Sequence, residues 1–276
     1  MGEAVEVLEQ MGGVEVSKDE APFCHRKVAR LAARAKILMP RIYIIQDDSP
    51  NACAVALSQN DTAIGVTTGL LSGLDENEIE AVLAHEIGHI QRGHTVEKTK
   101  VAMKALAISL TANIVGREIA ASDLDLTPGD DDTDDLLSTI LKVGIGVATA
   151  AAGDAAGANT LTSASLKSEF EADESGATLA QKPWALVSAL ERIQRMTQFG
   201  YKKYDPDVSQ LFIISPSYLN HKTHPPTSER VERLSHLLAK HPIVARVPTI
   251  YCSICGEKSD ADGNYCYWCG NELIEQ

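Results

Sequence analysis

The spacing of apolar and polar residues along the chain predicts a mainly helical protein with a small sheet. Between residues 76 and 92, apolar residues recur every three or four positions, as they do on the buried face of an amphipathic helix. The acidic run Asp75–Glu78 precedes them, and acidic residues cap a helix and interact favourably with the positive end of its dipole. We therefore expect a helix that starts near Asp75 and stops at Gly93.

The rest of the chain shows the same helical period in some segments and a strand pattern in others. Helices are expected over residues 27–36, 184–199 and 229–240, and strands over residues 41–46, 52–57 and 63–67. A polar turn at residues 58–61 separates the last two strands. Together these elements predict an α+β fold in which helices predominate.

The helix that follows Asp75 contains the sequence His85-Glu86-Ile87-Gly88-His89. Residues four apart lie on one face of a helix, so His85 and His89 can bind one metal ion from consecutive turns. Glu86 lies beside them, where its carboxylate can take a proton from a metal-bound water. A lone histidine on an apolar face is more often a core residue, but two histidines around a glutamate at this spacing predict a zinc site.

A catalytic zinc ion usually takes three protein ligands and keeps one position for water, so the motif needs a third ligand. His94 is one candidate. In the HExxHxxGxxH pattern, however, the third histidine follows the first by ten residues, whereas His94 follows His85 by nine. The register therefore argues against His94.

A better candidate lies in the acidic segment Ser168–Asp173. Glu169 and Asp173 are four residues apart and would share one face of a second helix. Glu169 could complete the site, and Asp173 could orient a ligand histidine through its free ring N–H. A solvated acidic helix face is the alternative for both carboxylates, and it is the expected setting of Glu171.

The zinc motif is one of several segments that follow one another along the chain. They are Asn51–Ala54, Val66–Leu71, Ala81–His89, Glu169–Asp173, Thr223–Pro226 and Glu229–Val231. Taken together, they resemble the HtpX-like metallopeptidase family, which also includes the CAAX prenyl proteases. The match runs from about Lys27 to Leu237, so it is far more specific than the zinc motif alone.

This resemblance implies a gluzincin endopeptidase fold in which Glu169 is the third zinc ligand. It also implies that His224 and Arg230 lie near the active site, where they would act on the transition state or support the metal ligands. A Pro-Pro turn that opens a capped helix is the alternative for these two residues. In such enzymes an edge strand beside the zinc helix commonly binds the substrate in extended form, and here that strand would be 52–57.

The expected function is that of a zinc metalloendopeptidase that cleaves unfolded or extended polypeptides, with protein quality control as the expected role. A bound zinc ion would polarise the scissile carbonyl, and Glu86 would act as the general base. The alternative is a catalytically silent zinc-binding scaffold or chaperone-like protein. Glu86 argues against that alternative, because metal binding alone does not require it.

The C-terminal segment holds four cysteines in two pairs, Cys252 with Cys255 and Cys266 with Cys269. Such paired cysteines are typical of a structural zinc ribbon, with two disulfides as the alternative. Five acidic residues and one basic residue follow Cys252, so the ribbon is expected to bind a protein partner and not nucleic acid.

These features divide the chain into two expected domains and place it in the cytoplasm. We expect a metallopeptidase domain over residues 1–246, with an acidic loop at 121–135 between two apolar helices, and a zinc ribbon over residues 250–276. The net charge of −13 disfavours nucleic acid and anionic lipid as partners. HtpX-like enzymes usually carry transmembrane helices, but the apolar stretches 101–115 and 139–158 are short or interrupted by charge. A soluble or peripheral protein is therefore expected, with an integral membrane protein as the alternative.

Overall fold

The computed structural model describes residues 4–104, 166–197, 206–214 and 224–240, together with residue 204 and the short pieces 249–251, 253–254 and 258–260. Within these residues the helices are α1 (Glu6–Gln10), α2 (Pro22–Ala35), α3 (Thr68–Gly73), α4 (Glu76–Arg92), α5 (residues 94–104), α6 (residues 166–180), α7 (Pro183–Met196), α8 (Pro206–Ser209) and α9 (Thr227–Lys240). The strands are β1 (Gly13–Glu15), β2 (Arg41–Ile45), β3 (Ala52–Ser58), β4 (Asp61–Thr67), β5 (Thr249–Tyr251) and β6 (Lys258–Asp260). Helices predominate, as the hydrophobic pattern predicts.

Four of the strands form one sheet in the order β1-β2-β4-β3. β2 and β4 are parallel, whereas the outer strands β1 and β3 are antiparallel to their neighbours. The predicted hairpin is confirmed, with Ala54 opposite Ile64 and the turn between Ser58 and Asp61. β3 is an outer strand and packs against α4, which brings the edge of the sheet next to the histidine motif.

α4 is the central helix of the domain and packs against α2, α7 and β3. Its start is fixed by a capping box, in which the Asp75 side chain accepts from the backbone of Glu78 and the Glu78 side chain accepts from the backbone of Asp75. It ends at Gly93, whose φ of 75° glycine adopts without steric cost. Both ends lie where the sequence predicts them, and residues 77–90 are buried on every side.

Other element boundaries differ from the prediction for identifiable reasons. α2 begins at Pro22 and not at residue 27, because the fixed φ of proline suits the first turn of a helix. α7 ends at Met196, three residues before the predicted end at 199. The helices α1 and α3 and the strand β1 are too short for a hydrophobic period to reveal them.

Several predictions fall largely or wholly outside the described residues. These are the acidic loop 121–135, the apolar stretch 139–158, most of the stretch 101–115, and the four paired cysteines. β5 and β6 pair in antiparallel fashion on either side of the first cysteine pair. Where the structure does describe helices, none is both long enough and apolar enough to cross a bilayer.

Candidate metal centre

Two histidines on consecutive turns of α4 form the base of the candidate site. His85 and His89 are 0% and 6% exposed, and their ring centroids are 4.7 Å apart in an edge-to-face arrangement. Their spacing of four residues puts both rings on one side of the helix, as the helical period requires. Both are held in the core of the domain, away from bulk water.

Helix α6 brings a carboxylate to these two rings. The Nε2 atom of His85 lies 3.7 Å from Oε2 of Glu169, and the Nε2 atom of His89 lies 3.3 Å from Oε1 of the same residue. One potential ligand atom from each of the three residues lies within 4.8 Å of the others, and all three residues are buried. The structure thus places Glu169, the predicted third ligand, beside the two histidines.

Two glycines allow α6 to approach α4 this closely. A Cβ atom on Gly176 would lie 2.8 Å from both N and Cα of His85, and one on Gly88 would lie 3.1 Å from the carbonyl oxygen of Ala172. The distance of 2.8 Å at Gly176 is shorter than real Cβ atoms show, so only glycine fits there. The role of Gly176 is not evident from the sequence, although an unexplained glycine inside a helical pattern often marks such close packing.

Asp173 lies against the first histidine, at the ring nitrogen that does not face Glu169. Its Oδ1 atom lies 2.9 Å from Nδ1 of His85, so a proton on Nδ1 leaves Nε2 of that ring as the lone-pair donor. Nε and Nη2 of Arg230 donate to Asp173 at 2.8 and 2.7 Å. Burial opposes ionisation of Asp173, but Arg230 and His85 outweigh it and lower the pKa of the carboxyl.

Lys98, a residue that the sequence motifs did not single out, lies against the candidate third ligand. Its ammonium donates to Oε1 of Glu169 at 2.6 Å, and its side chain is mostly buried. Burial opposes ionisation of Glu169, but Lys98, His224 and His89 together hold the pKa of this carboxyl well below its usual range. Glu169 is therefore ionised, as a metal ligand must be.

Glu86 lies on the same helix as the two histidines and is 1% exposed. Burial raises the pKa of Glu86 to about 7, with Glu169 adding to the rise and His85 opposing it. A carboxyl with a pKa near neutrality can both accept and return a proton at physiological pH. The environment of Glu86 thus suits a general base.

His224 lies at the start of the segment that leads into α9. Its Nε2 atom is 3.7 Å from Oε1 of Glu169, and the residue is 2% exposed. Burial lowers the pKa of His224 to about 4, with Lys98 and Arg230 adding to the effect. The ring is therefore neutral near pH 7 and faces the carboxylate of the candidate metal ligand.

The residues of this site have buried polar atoms without partners, and their types fit a zinc ion. Nε2 of His85, Oε1 of Glu86 and Oε2 of Glu169 are buried and have no hydrogen-bond partner among the described residues. Leaving such an atom unpaired costs about 1–3 kcal/mol, so a cluster of them is typical of a site that binds an ion. Burial lowers the pKa of His89 to about 3, which keeps that ring neutral and able to bind a metal. Two neutral imidazoles and one carboxylate are ligands that zinc prefers.

The rejected candidate His94 has a different partner. Its Nε2 atom lies 3.2 Å from Glu171, which also pairs with Lys167 at 3.4 Å and with Arg92 at 3.9 Å. Glu171 is thus partly exposed and engaged in surface ion pairs. Among the described residues, the group that could hold a metal ion contains neither His94 nor Glu171.

The outer edge of β3, where an extended substrate was expected, is already partly paired. The carbonyl of Ala52 accepts from the backbone of Ile213 at 2.9 Å, and the backbone N–H of Ala56 donates to Oγ1 of Thr99 at 3.0 Å. Asn51 donates from its side chain to the carbonyl of Ile214 at 3.1 Å. Residues 211–214 thus lie along the strand edge next to the site.

Several known proteins are similar to this chain. Residues 18–238 match the model of peptidase family M48. The chain is 34% identical over 239 residues to a protease HtpX homologue of Burkholderia multivorans, and equally to one of Ralstonia nicotianae; each match covers 84% of this chain and 79% of the relative. A crystal structure of S. mikatae Ste24p is similar with a TM-score of 0.47 and 20% identity, and the match covers 80% of this chain and about half, 51%, of that one.

These relatives contradict the expected cellular location. The matched relatives are HtpX homologues, and they contradict the prediction of a cytoplasmic, soluble or peripheral protein, which is wrong. The prediction rests on the weak hydropathy of residues 101–115 and 139–158, most of which lie outside the described part of the chain.

Proposed function

The chain belongs to peptidase family M48 and is a metallopeptidase, and from that premise we propose that it is a zinc-dependent endopeptidase acting on unfolded or extended polypeptides. The observation that carries the proposal is the group formed by His85, His89 and Glu169, whose ligand atoms lie within 4.8 Å of one another beside the buried carboxyl of Glu86. A core that needed only to pack would place apolar side chains here, because each buried unpaired polar atom is costly.

In this proposal His85, His89 and Glu169 would hold the zinc ion. A bound zinc ion would polarise the scissile carbonyl and lower the pKa of a water molecule. Glu86 would accept a proton from the attacking water and return it to the leaving amine, a transfer that its pKa of about 7 supports.

Two further residues receive different roles. His224 lies 3.7 Å from Glu169, and we assign it to the reacting side of the site, where a neutral ring can donate to the developing oxyanion. Three guanidinium nitrogens of Arg230 donate to Asp173 and to the carbonyl of Ile213. Arg230 therefore acts through Asp173 on the orientation of His85, as a positioning residue.

The depth of the site supports the proposed substrate class. The candidate ligands are at most 6% exposed, so the surface of a folded protein cannot reach them. A flexible or unfolded polypeptide can enter a narrow site in extended form. Degradation of such chains is the chemistry of protein quality control, and we propose this as the role.

The C-terminal residues form a separate unit in this proposal, with a metallopeptidase domain over 1–246 and a zinc ribbon over 250–276. The support is the double Cys-x-x-Cys spacing of Cys252, Cys255, Cys266 and Cys269, together with the antiparallel pair β5–β6, whose strands precede and follow the first cysteine pair in the sequence. A tetrathiolate site would fold this short segment and would serve to bind a protein partner.

Measuring casein cleavage and zinc content of the full chain tests these assignments together. Wild type is expected to cleave casein and to hold two zinc ions, one of which Cys252→Ser with Cys255→Ser removes. Glu86→Gln is expected to keep both ions and to cleave about 10²–10⁴-fold more slowly, because the general base is lost. Zinc-loaded wild type that does not cleave casein or an unfolded peptide would contradict the protease assignment.

A further inference from the structure

We propose that Lys98 is a positioning residue for the metal ligand Glu169. Its ammonium holds one carboxylate oxygen, Oε1, and so directs the other, Oε2, toward Nε2 of His85. This inference rests on the proposed zinc site and adds to it a residue that no motif in the sequence assigns.

The geometry distinguishes the two oxygens of the carboxylate. Oε1 accepts from Lys98 at 2.6 Å, which is its shortest contact, and also lies 3.3 Å from Nε2 of His89. Oε2 is buried, lies 3.7 Å from Nε2 of His85 and 3.8 Å from Nη2 of Arg230, and has no hydrogen-bond partner within the described part of the chain. Without an anchor the carboxylate could rotate about its last bond, since such terminal torsions are broad. A short charge-assisted hydrogen bond fixes that rotation.

Lys98 itself is held in place by its neighbours on α5. The adjacent residue, Thr99, accepts from the backbone N–H of Ala56 on β3 at 3.0 Å and donates to the carbonyl of Thr95 at 2.9 Å. Thr99 is fully buried, and the side chain of Lys98 is only 13% exposed. The lysine is therefore presented by a helix that is anchored to the sheet, unlike a mobile surface lysine.

Lys98 also completes a pattern around the metal ligands. His85 is supported by Asp173 at 2.9 Å, which Arg230 supports in turn. Lys98 gives Glu169 the corresponding support from the α5 side. Partners of this kind orient metal ligands, and their loss typically lowers metal affinity or activity by about 10–100-fold.

A positive charge near a cation also repels it, which opposes the positioning effect. Here the ammonium contacts the carboxylate directly, so the negative charge of Glu169 offsets much of its repulsion of the metal. Positioning is therefore expected to dominate, and removal of Lys98 should weaken metal binding.

The test measures Zn²⁺ affinity by chelator competition and the visible absorption of the Co²⁺-loaded full chain. Lys98→Met keeps the apolar stem without the charge and is expected to bind Zn²⁺ about 10–100-fold more weakly, with a changed Co²⁺ spectrum. Lys98→Arg should restore both, because a guanidinium also pairs with a carboxylate. Lys100→Met is the control, since Lys100 lies two residues later on α5, is half exposed and pairs only with Glu97 among the described residues.

Wild-type Zn²⁺ affinity in Lys98→Met, or tighter binding, would overturn the role of Lys98, and so would an unchanged Co²⁺ spectrum. If the methionine variant does not fold, Lys98→Gln replaces it in the comparison with Lys98→Arg, and equal Zn²⁺ affinities of those two would also overturn the role. Absence of Zn²⁺ binding by wild type would instead contradict the proposed function, which separates the two failures.

Discussion

Helix α4 carries two buried groups of charged residues that differ in how completely they are paired. Near its start, Glu80 is fully buried and accepts from Lys27 and Arg30 on α2, while Lys182 at the start of α7 lies 3.4 Å away. Near its end, the histidine group of His85, Glu86 and His89 meets Glu169 from α6. The ionisable side chains at the centre of both groups are buried to a similar extent.

The Glu80 group is complete in itself. Both carboxylate oxygens have cationic partners, and neither is among the buried atoms that lack a hydrogen bond. The partners are long side chains that partly reach the surface, so they neutralise the carboxylate while losing less hydration than the fully buried Glu80 does. This group joins three helices and has no need of a ligand.

The histidine group, by contrast, leaves buried atoms unpaired in spite of its many contacts. Oε2 of Glu169 and Nε2 of His85 have neighbours but no hydrogen-bond donor or acceptor in the described residues. The difference teaches that buried charge alone does not mark a metal site. A metal site is indicated when buried charged residues have unpaired atoms that converge on one point.

Removal of the carboxylate from the histidine group should have the largest effect. Glu169→Gln is expected to abolish binding of the catalytic zinc and to lower casein cleavage by about 10³-fold or more, since a zinc ion contributes several kcal/mol to the transition state. Zinc analysis and a cleavage assay measure both. Glu171→Gln on the same helix is the control and should change neither, and retention of zinc by Glu169→Gln would remove Glu169 from the ligand set.

The corresponding change in the Glu80 group should affect stability and spare the chemistry. Glu80→Gln leaves three cations without their carboxylate, and we expect the free energy of unfolding to fall by about 3 kcal/mol. Urea denaturation measures it, and cleavage per folded molecule should remain at the wild-type level. Glu97→Gln, on an exposed pair with Lys100, should change stability by less than about 1 kcal/mol. Loss of zinc in Glu80→Gln would show that the two groups are not independent.

A smaller effect is expected when the approach of α6 to α4 is hindered. Gly176→Ala places a methyl group against the backbone of His85 and should cost about 1–3 kcal/mol, with weaker zinc binding because Glu169 is displaced. Gly73→Ala is the matched control, because its Cβ would meet only the flexible end of Met196. Equal zinc affinities of the two variants would contradict the role of the close helix contact.

The smallest expected effect is the change with pH in the stability that Glu80 contributes. Burial opposes ionisation of Glu80, but Lys27, Lys182 and Arg30 outweigh it and lower its pKa from 4.5. A lowered folded-state pKa contributes stability that is present above the unfolded value and is lost as pH falls through the folded value. The stability difference between wild type and Glu80→Gln should therefore shrink below about pH 4.5, as urea denaturation across that range would show. A difference that stays constant to the acid limit would contradict the assigned cause.

The elements that could be predicted are those whose pattern is local. The limits of α4 follow from a capping box at Asp75 and a glycine at 93, and the β3–β4 hairpin follows from two alternating runs around a polar turn. Short elements such as α1 and β1 could not be predicted, because five or fewer residues do not define a period. The predicted cellular location is wrong, because the hydropathy of two segments is a weaker guide than the relatedness of the whole chain.

The sequence by itself determined that His85, Glu86 and His89 lie together, because residues within one helical turn are placed by the backbone period alone. It also determined which residue types could complete the site. Only the tertiary structure decided that Glu169 reaches the two rings, that Arg230 turns toward Asp173, and that Lys98 holds the carboxylate. These contacts join residues far apart in the chain, and they depend on how closely helices pack at Gly176, for which no local period exists.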